Sequence, residues 1–150
     1  MARAIDGRAC GGHGAAMTDA ADRPEPIATY AVTPRPFGRE IRFKLFADRL
    51  EVDDMRRTTK LPLAGIAQAR LAFEPRGAFT RGFRCKLTGA DRRTASFTNL
   101  SWRTMIQADD QREAYRAFVG ALLPAVRGAN PSCRFVGGKP VIVWALLALA

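Results

Sequence analysis

The sequence predicts a mainly β domain that ends in one amphipathic helix and is followed by a short apolar tail. Between residues 39 and 98, apolar and polar side chains alternate with a period of two, in short runs separated by turn residues. After Trp102 the apolar period lengthens to three and four residues, which is typical of a helix with one buried face. A chain of 150 residues, 47% hydrophobic and 25% charged, fits one folded domain.

The alternation predicts five or six short strands. The first two run from Ile41 to Val52 around a turn at residues 47–49, and a third covers residues 58–63. Pro62 lacks the N–H that a strand ladder needs, so we expect it at a strand end or a sheet edge. Three more runs follow, over residues 66–73, 83–87 and 94–98. Because short turns join consecutive runs, we expect antiparallel pairing.

The later period predicts a helix over residues 107–123. Tyr115, Phe118 and Leu122 recur at helical spacing, and we expect this stripe to pack into the core. Pro124 and Gly128 are predicted to end the helix. Cys85 lies on the apolar side of an alternating run, where it is expected to be a small buried side chain.

The two ends of the chain differ from the middle. Residues 1–34 are rich in Gly, Ala, Asp and Pro, which predicts a disordered leader, and residues 128–140 are predicted to be a polar linker. Residues 141–150 contain no polar side chain, but ten helical residues rise only about 15 Å, half the thickness of a bilayer core. Either the tail packs on the domain, or it is part of a truncated transmembrane helix.

We favour the membrane segment because the tail is apolar all round and carries a tryptophan near its start. Arg127, Arg134 and Lys139 precede the tail, so the positive-inside tendency predicts a domain on the cytosolic side. The residues predicted to contact lipid are Val141, Ile142, Trp144, Leu146 and Leu147.

The chain carries 24 Lys and Arg against 14 Asp and Glu, a formal net charge of +10. Such an excess attracts anionic lipid, an acidic partner or nucleic acid, although it also fits a solvated surface without a ligand. Seven basic residues, in two predicted turns and on one predicted strand, are candidates for binding an anionic headgroup or an acidic partner: Arg56, Arg57, Lys60, Arg84, Lys86, Arg92 and Arg93. The alternative is nucleic-acid binding, with bases stacking on Phe79, Phe83 and Phe97.

The segments Phe43–Val52 and Leu61–Ile66, followed by Tyr115–Val119 and the apolar tail, resemble small uncharacterised bacterial membrane proteins with a pleckstrin-homology-like (PH-like) domain. That resemblance implies a partly open antiparallel barrel over residues 35–127, capped by the amphipathic helix. It also implies proximity to a membrane. From the basic residues before the tail and the basic excess we expect a location at the inner (cytoplasmic) membrane, with the domain facing the cytosol and an anionic membrane surface or a membrane protein as its partner.

The sequence offers little for catalysis. The only histidine, His13, lies in the predicted leader, so the predicted domain has no imidazole base. Cys10 and His13 have a spacing that zinc sites use, but no second pair of ligands accompanies them. Gly137–Lys139 lacks the strand and glycine spacing of a phosphate-binding loop. We therefore expect a binding or scaffolding module without catalytic residues, metal, cofactor or small-molecule substrate.

Overall fold

A computed structural model describes residues 24–76 and 80–138 and contains ten strands and one α-helix in those ranges. The first four strands form an antiparallel sheet in chain order: β1 (Ala28–Val32), β2 (Ile41–Leu45), β3 (Arg49–Asp53) and β4 (Thr58–Pro62). Every second side chain of β2 turns inward, as the alternation predicts, so Phe43 and Leu45 are buried. Pro62 is the last residue of an edge strand, which confirms the position that its missing N–H requires.

A short 3-10 turn, Leu63–Gly65, leads into the second sheet. That sheet contains β5 (Ile66–Arg76), β6 (Thr80–Gly89) and β7 (Thr94–Thr98), paired antiparallel, and β10 (Arg134–Gly137) on its other edge. β10 runs parallel to β5, contrary to the expectation of antiparallel pairing throughout. The helix that precedes β10 returns the chain to the start of β5, so the strand that follows the helix can pair parallel to β5.

The segment after β7 forms a hairpin that the sequence did not predict, with strands β8 (Leu100–Trp102) and β9 (Ala108–Asp110). Helix α1 (Arg112–Ala129) therefore begins five residues later than predicted, because residues 108–110 pair as a strand. It also continues past Pro124, which lies inside it. Proline removes one helical hydrogen bond, but Leu122 and Val126 are fully buried on either side of it, and their packing holds the helix together.

The hydrophobic core lies between the inner faces of the two sheets and is closed by one face of α1. The rings of Tyr30, Phe43, Phe97, Tyr115 and Phe118 pack against one another there, with centroids 4.9–6.4 Å apart. The stripe predicted for α1 is buried, as expected. Cys85 is buried too, and burial raises the pKa of its thiol to about 12.

Asn99 is the only fully buried polar residue among those described, and it joins the second sheet to the hairpin. Its side-chain oxygen accepts a hydrogen bond from the Phe83 N–H (2.6 Å), and its amide donates to Asp110 (2.6 Å). Its backbone N–H donates to the Phe83 carbonyl, and its carbonyl accepts from the Gln111 N–H at the start of α1. These bonds give the buried amide a structural role.

A mainly β domain with one amphipathic helix is confirmed, but a barrel is not. Both four-stranded sheets are open, because no ladder in the described residues joins an edge strand of one to an edge strand of the other. The predicted leader, 1–34, is too long, since β1 lies within it with Tyr30 and Val32 in the core. The predicted linker, 128–140, contains β10. The tail residues Val141, Ile142, Trp144, Leu146 and Leu147 lie outside the described residues.

Candidate functional site: a basic loop edge

Two loops lie side by side at one end of the strands of the first sheet. The β1–β2 loop covers residues 33–40 and the β3–β4 turn covers residues 54–57. The register places the end of β1 opposite the start of β2, and the end of β3 opposite the start of β4. Both connections therefore lie at the same end of the strands. We call this end of the first sheet, with its two loops, the loop edge.

The β3–β4 turn is held by two aspartates that accept backbone hydrogen bonds. Asp54 Oδ1 accepts from the N–H groups of Arg56 (3.1 Å) and Arg57 (2.8 Å), while Asp53 Oδ1 accepts from the Met55 N–H (3.0 Å). The hydrogen bond from the Arg57 backbone is the main reason why the pKa of Asp54 is lowered. Arg56 and Arg57 are exposed beside this carboxylate, and their charges also contribute to the lowered pKa of Asp54.

The β1–β2 loop is shaped by two prolines and a glycine. The Gly38 N–H donates to the Arg35 carbonyl (2.9 Å) and closes a tight turn. A Cβ at position 38 would lie 2.8 Å from that carbonyl oxygen, so the turn requires glycine. Arg35 and Arg39 flank the turn and are both exposed.

A concavity of about 970 Å³ lies between these loops and the outer surface of β6 and β7. Four arginines and one carboxylate line it: Arg35, Arg39, Arg56, Arg84 and Asp54. Arg84 forms an ion pair with Glu74 (3.0 Å), whereas the other three arginines have no carboxylate ion-pair partner among the described residues. Guanidinium groups donate in a planar fork that matches the oxygens of phosphates and carboxylates, so this arrangement can bind an anion.

The structure divides the seven predicted binding residues among three places. Arg56 and Arg84 come together in the concavity just described. Arg57, Lys60 and Arg93 line a second one, of about 660 Å³, where β4 approaches the start of β7. Lys60 lies 3.7 Å from Glu51 and Arg93 lies 3.2 Å from Asp91, so carboxylates partly neutralise this group. Lys86 and Arg92 are exposed and line neither concavity.

Arg35 and Arg39 were not among the residues predicted to bind an anion, because the sequence pattern gave neither of them a role. The signal was the run Arg35-Pro-Phe-Gly-Arg39, in which turn-forming residues separate two arginines. The turn closed by Arg35 and Gly38 places both arginines in one loop. The register of the first sheet then places that loop beside Arg56. The second step depends on pairing between strands and is not visible in a local pattern.

The phenylalanines that would stack nucleic-acid bases are not presented to solvent as a platform. Phe97 is buried in the aromatic core, and Phe83 is partly buried against Phe73, with ring centroids 5.3 Å apart. Phe79 lies outside the described residues. The described part of the chain thus favours an anion-binding surface over a base-stacking one.

A further cleft of about 470 Å³ lies between α1, the β5–β6 hairpin and the end of β10, and it is mainly apolar. Leu71, Phe73, Phe83 and Val119 line it. Residues 24–76 and 80–138 contain no group of three or more His, Cys, Asp or Glu side chains placed to hold a metal ion.

Within the same ranges, no helix combines the length and the apolar composition needed to cross a bilayer. Comparison of the chain with protein-family models, with curated proteins and with solved structures gave no match.

Proposed function

We propose that this protein is a non-catalytic interaction module that binds an anionic membrane surface through the loop edge. The observation that carries the proposal is the convergence of Arg35, Arg39 and Arg56 on one concavity without carboxylate ion-pair partners among the described residues. A surface of this kind attracts the phosphate and carboxylate groups of lipid headgroups. Each arginine near an anionic surface contributes about 1 kcal/mol, so three contribute about 3 kcal/mol.

The order of the strands supports a PH-like domain. A four-stranded antiparallel meander is followed by three antiparallel strands and a C-terminal helix whose apolar face closes the core. The β8–β9 hairpin and the parallel strand β10 are additions to that plan. In this proposal the domain works by presenting loops from a rigid scaffold, so its function requires no chemical step.

The apolar tail is the second part of the proposal. The Gly138 N–H donates to the Leu71 carbonyl (3.0 Å), which holds the end of β10 against β5. The composition of residues 141–150 favours a lipid environment, and the basic residues before it favour the cytosolic side of the inner membrane. The tail would then hold the domain close to the headgroups that the loop edge binds.

Flotation of the full chain with vesicles tests the proposal. One set contains phosphatidylcholine alone and the other contains phosphatidylcholine mixed with phosphatidylserine. The ratio of the affinity for the mixed vesicles to the affinity for phosphatidylcholine vesicles isolates the electrostatic contribution, because the tail contributes to both affinities. We expect Arg35→Ala, Arg39→Ala and Arg56→Ala together to lower this ratio by about 100-fold.

The control removes the same charge elsewhere. Lys86, Arg92 and Arg116 are exposed, line neither basic concavity and are not among the basic residues that precede the tail, so replacing all three with alanine should leave most of the anionic preference intact. Equal losses in the two triple variants would contradict a localised site. If the chain instead shows salt-sensitive retention on DNA or RNA and no preference for anionic vesicles, the nucleic-acid alternative replaces the membrane proposal.

A further inference from the structure

The four most exposed large apolar side chains among the described residues lie at the tips of three loops. Phe37 is 81% exposed in the β1–β2 loop, and Met55 is 75% exposed in the β3–β4 turn. Met105 (66%) and Ile106 (95%) form the tip of the β8–β9 hairpin. Scattered exposed apolar residues are normal on proteins, but here they occupy neighbouring tips.

The hairpin is attached to the loop edge. The Trp102 N–H donates to the Thr33 carbonyl (2.9 Å), and the Thr33 N–H donates to Ser101 Oγ (3.1 Å), so β8 ends where the β1–β2 loop begins. From there the hairpin passes from the buried Leu100 to the exposed residues 103–107. The hairpin that carries the third tip therefore leaves the domain next to the start of the loop that carries Phe37.

Two of these side chains sit on backbone that disfavours them. Phe37 has φ 55° and Met55 has φ 67°, in the left-handed region where glycine is the residue without a steric cost. The fold gains little burial from either side chain, because both are mostly exposed. A bulky apolar residue at such a position is unexplained by folding and calls for a partner outside the chain.

Charged groups surround the apolar tips. Arg35 and Arg39 flank Phe37, and Arg56 and Arg57 follow Met55. Arg103 lies two residues before Met105 and forms an ion pair with Asp109 (2.5 Å), so the unpaired charge is at the first two tips. A folded protein partner would need a separate pocket for each tip. An anionic bilayer accepts several separate apolar side chains at once, while arginines stay at the level of the headgroups.

We propose that Phe37, Met55, Met105 and Ile106 insert into the interfacial region of an anionic bilayer. This inference rests on the proposed function, since the arginines of the loop edge bring the tips to the surface. It adds a second kind of contact, which is apolar and insensitive to salt. It also assigns a role to the β8–β9 hairpin, which adds a third apolar tip and is attached to the start of the β1–β2 loop.

Fluorescent labels test the insertion directly. An environment-sensitive fluorophore is attached in the full chain to Phe37→Cys, to Ile106→Cys or, as a control, to Ile27→Cys, each combined with Cys10→Ser. Cys85 and Cys133 are buried and remain unlabelled in the folded protein. Ile27 is a matched control, because it is 61% exposed and its N–H donates to the Leu45 carbonyl at the opposite end of the strands of the first sheet.

We expect nitroxide groups on the lipid acyl chains to quench the labels at positions 37 and 106 but not the label at position 27. Association with anionic vesicles without quenching at 37 and 106 would overturn the insertion and leave the basic loop edge standing. Failure to associate with any vesicle would overturn both proposals.

A serine variant gives an independent readout. Replacing Phe37, Met55, Met105 and Ile106 with serine should weaken binding to anionic vesicles at least tenfold at high salt, where the arginines contribute least. Ile27→Ser should change it less than twofold. Because all five side chains are exposed, both variants should unfold at the wild-type temperature. An unchanged affinity of the serine variant would contradict the insertion.

Discussion

Phe43 and Phe37 are six residues apart in the sequence and occupy opposite environments in the first sheet. Phe43 lies within β2, is 1% exposed and packs against Phe97 and Phe118. Phe37 lies in the loop before that strand and contacts solvent. The burial of Phe43 contributes to folding, whereas the exposure of Phe37 does not. A buried apolar side chain in a strand is thus explained by packing in the core. An exposed one at a loop tip indicates instead a surface that contacts another molecule.

The largest effect should come from the aromatic core. Phe97 contacts four other rings, and Phe97→Ala would leave a cavity among them, so we expect the free energy of unfolding to fall by about 3–5 kcal/mol. Urea denaturation followed by circular dichroism measures this. Phe37→Ala is the matched control and should change stability by less than about 0.5 kcal/mol. Similar losses in both variants would contradict the contrast between the two regions.

The sequence was sufficient for the parts of the fold that depend on local periodicity. Strands β2 to β7 follow the alternation, and Tyr115, Phe118 and Leu122 follow the helical period, because burial of one face imposes both patterns. Pro62 was placed correctly because its missing N–H is a local property. These features require no knowledge of which strand lies beside which.

The features that were missed depend on tertiary contacts. β10 has only four residues, and it is a strand because β5 offers it an edge. The β8–β9 hairpin is held by hydrogen bonds of Asn99 and Thr33. Strand β1 was not predicted, because the segment around it has a low apolar content. Of the candidate site, Arg56 and Arg84 were identified from sequence, whereas Arg35 and Arg39 join it only through the register of the first sheet.

A smaller effect of opposite sign should appear at the loop tip. Met55→Gly removes an exposed side chain from left-handed backbone, so we expect the free energy of unfolding to rise by about 0.5 kcal/mol. Met55→Ala keeps the strained backbone and should leave stability unchanged. Urea denaturation of both variants checks this. A loss of about 1 kcal/mol or more in Met55→Gly would mean that the side chain contributes to folding.

Hydrogen exchange of the full chain, followed by mass spectrometry with and without phosphatidylserine vesicles, tests most directly whether the loop edge is the binding surface. We expect slower exchange on vesicles in peptides that cover residues 33–40, 54–57 and 103–107, with little change at the β6–β7 turn or along α1. Protection confined to the β6–β7 turn and α1, with the three loops unchanged, would contradict it.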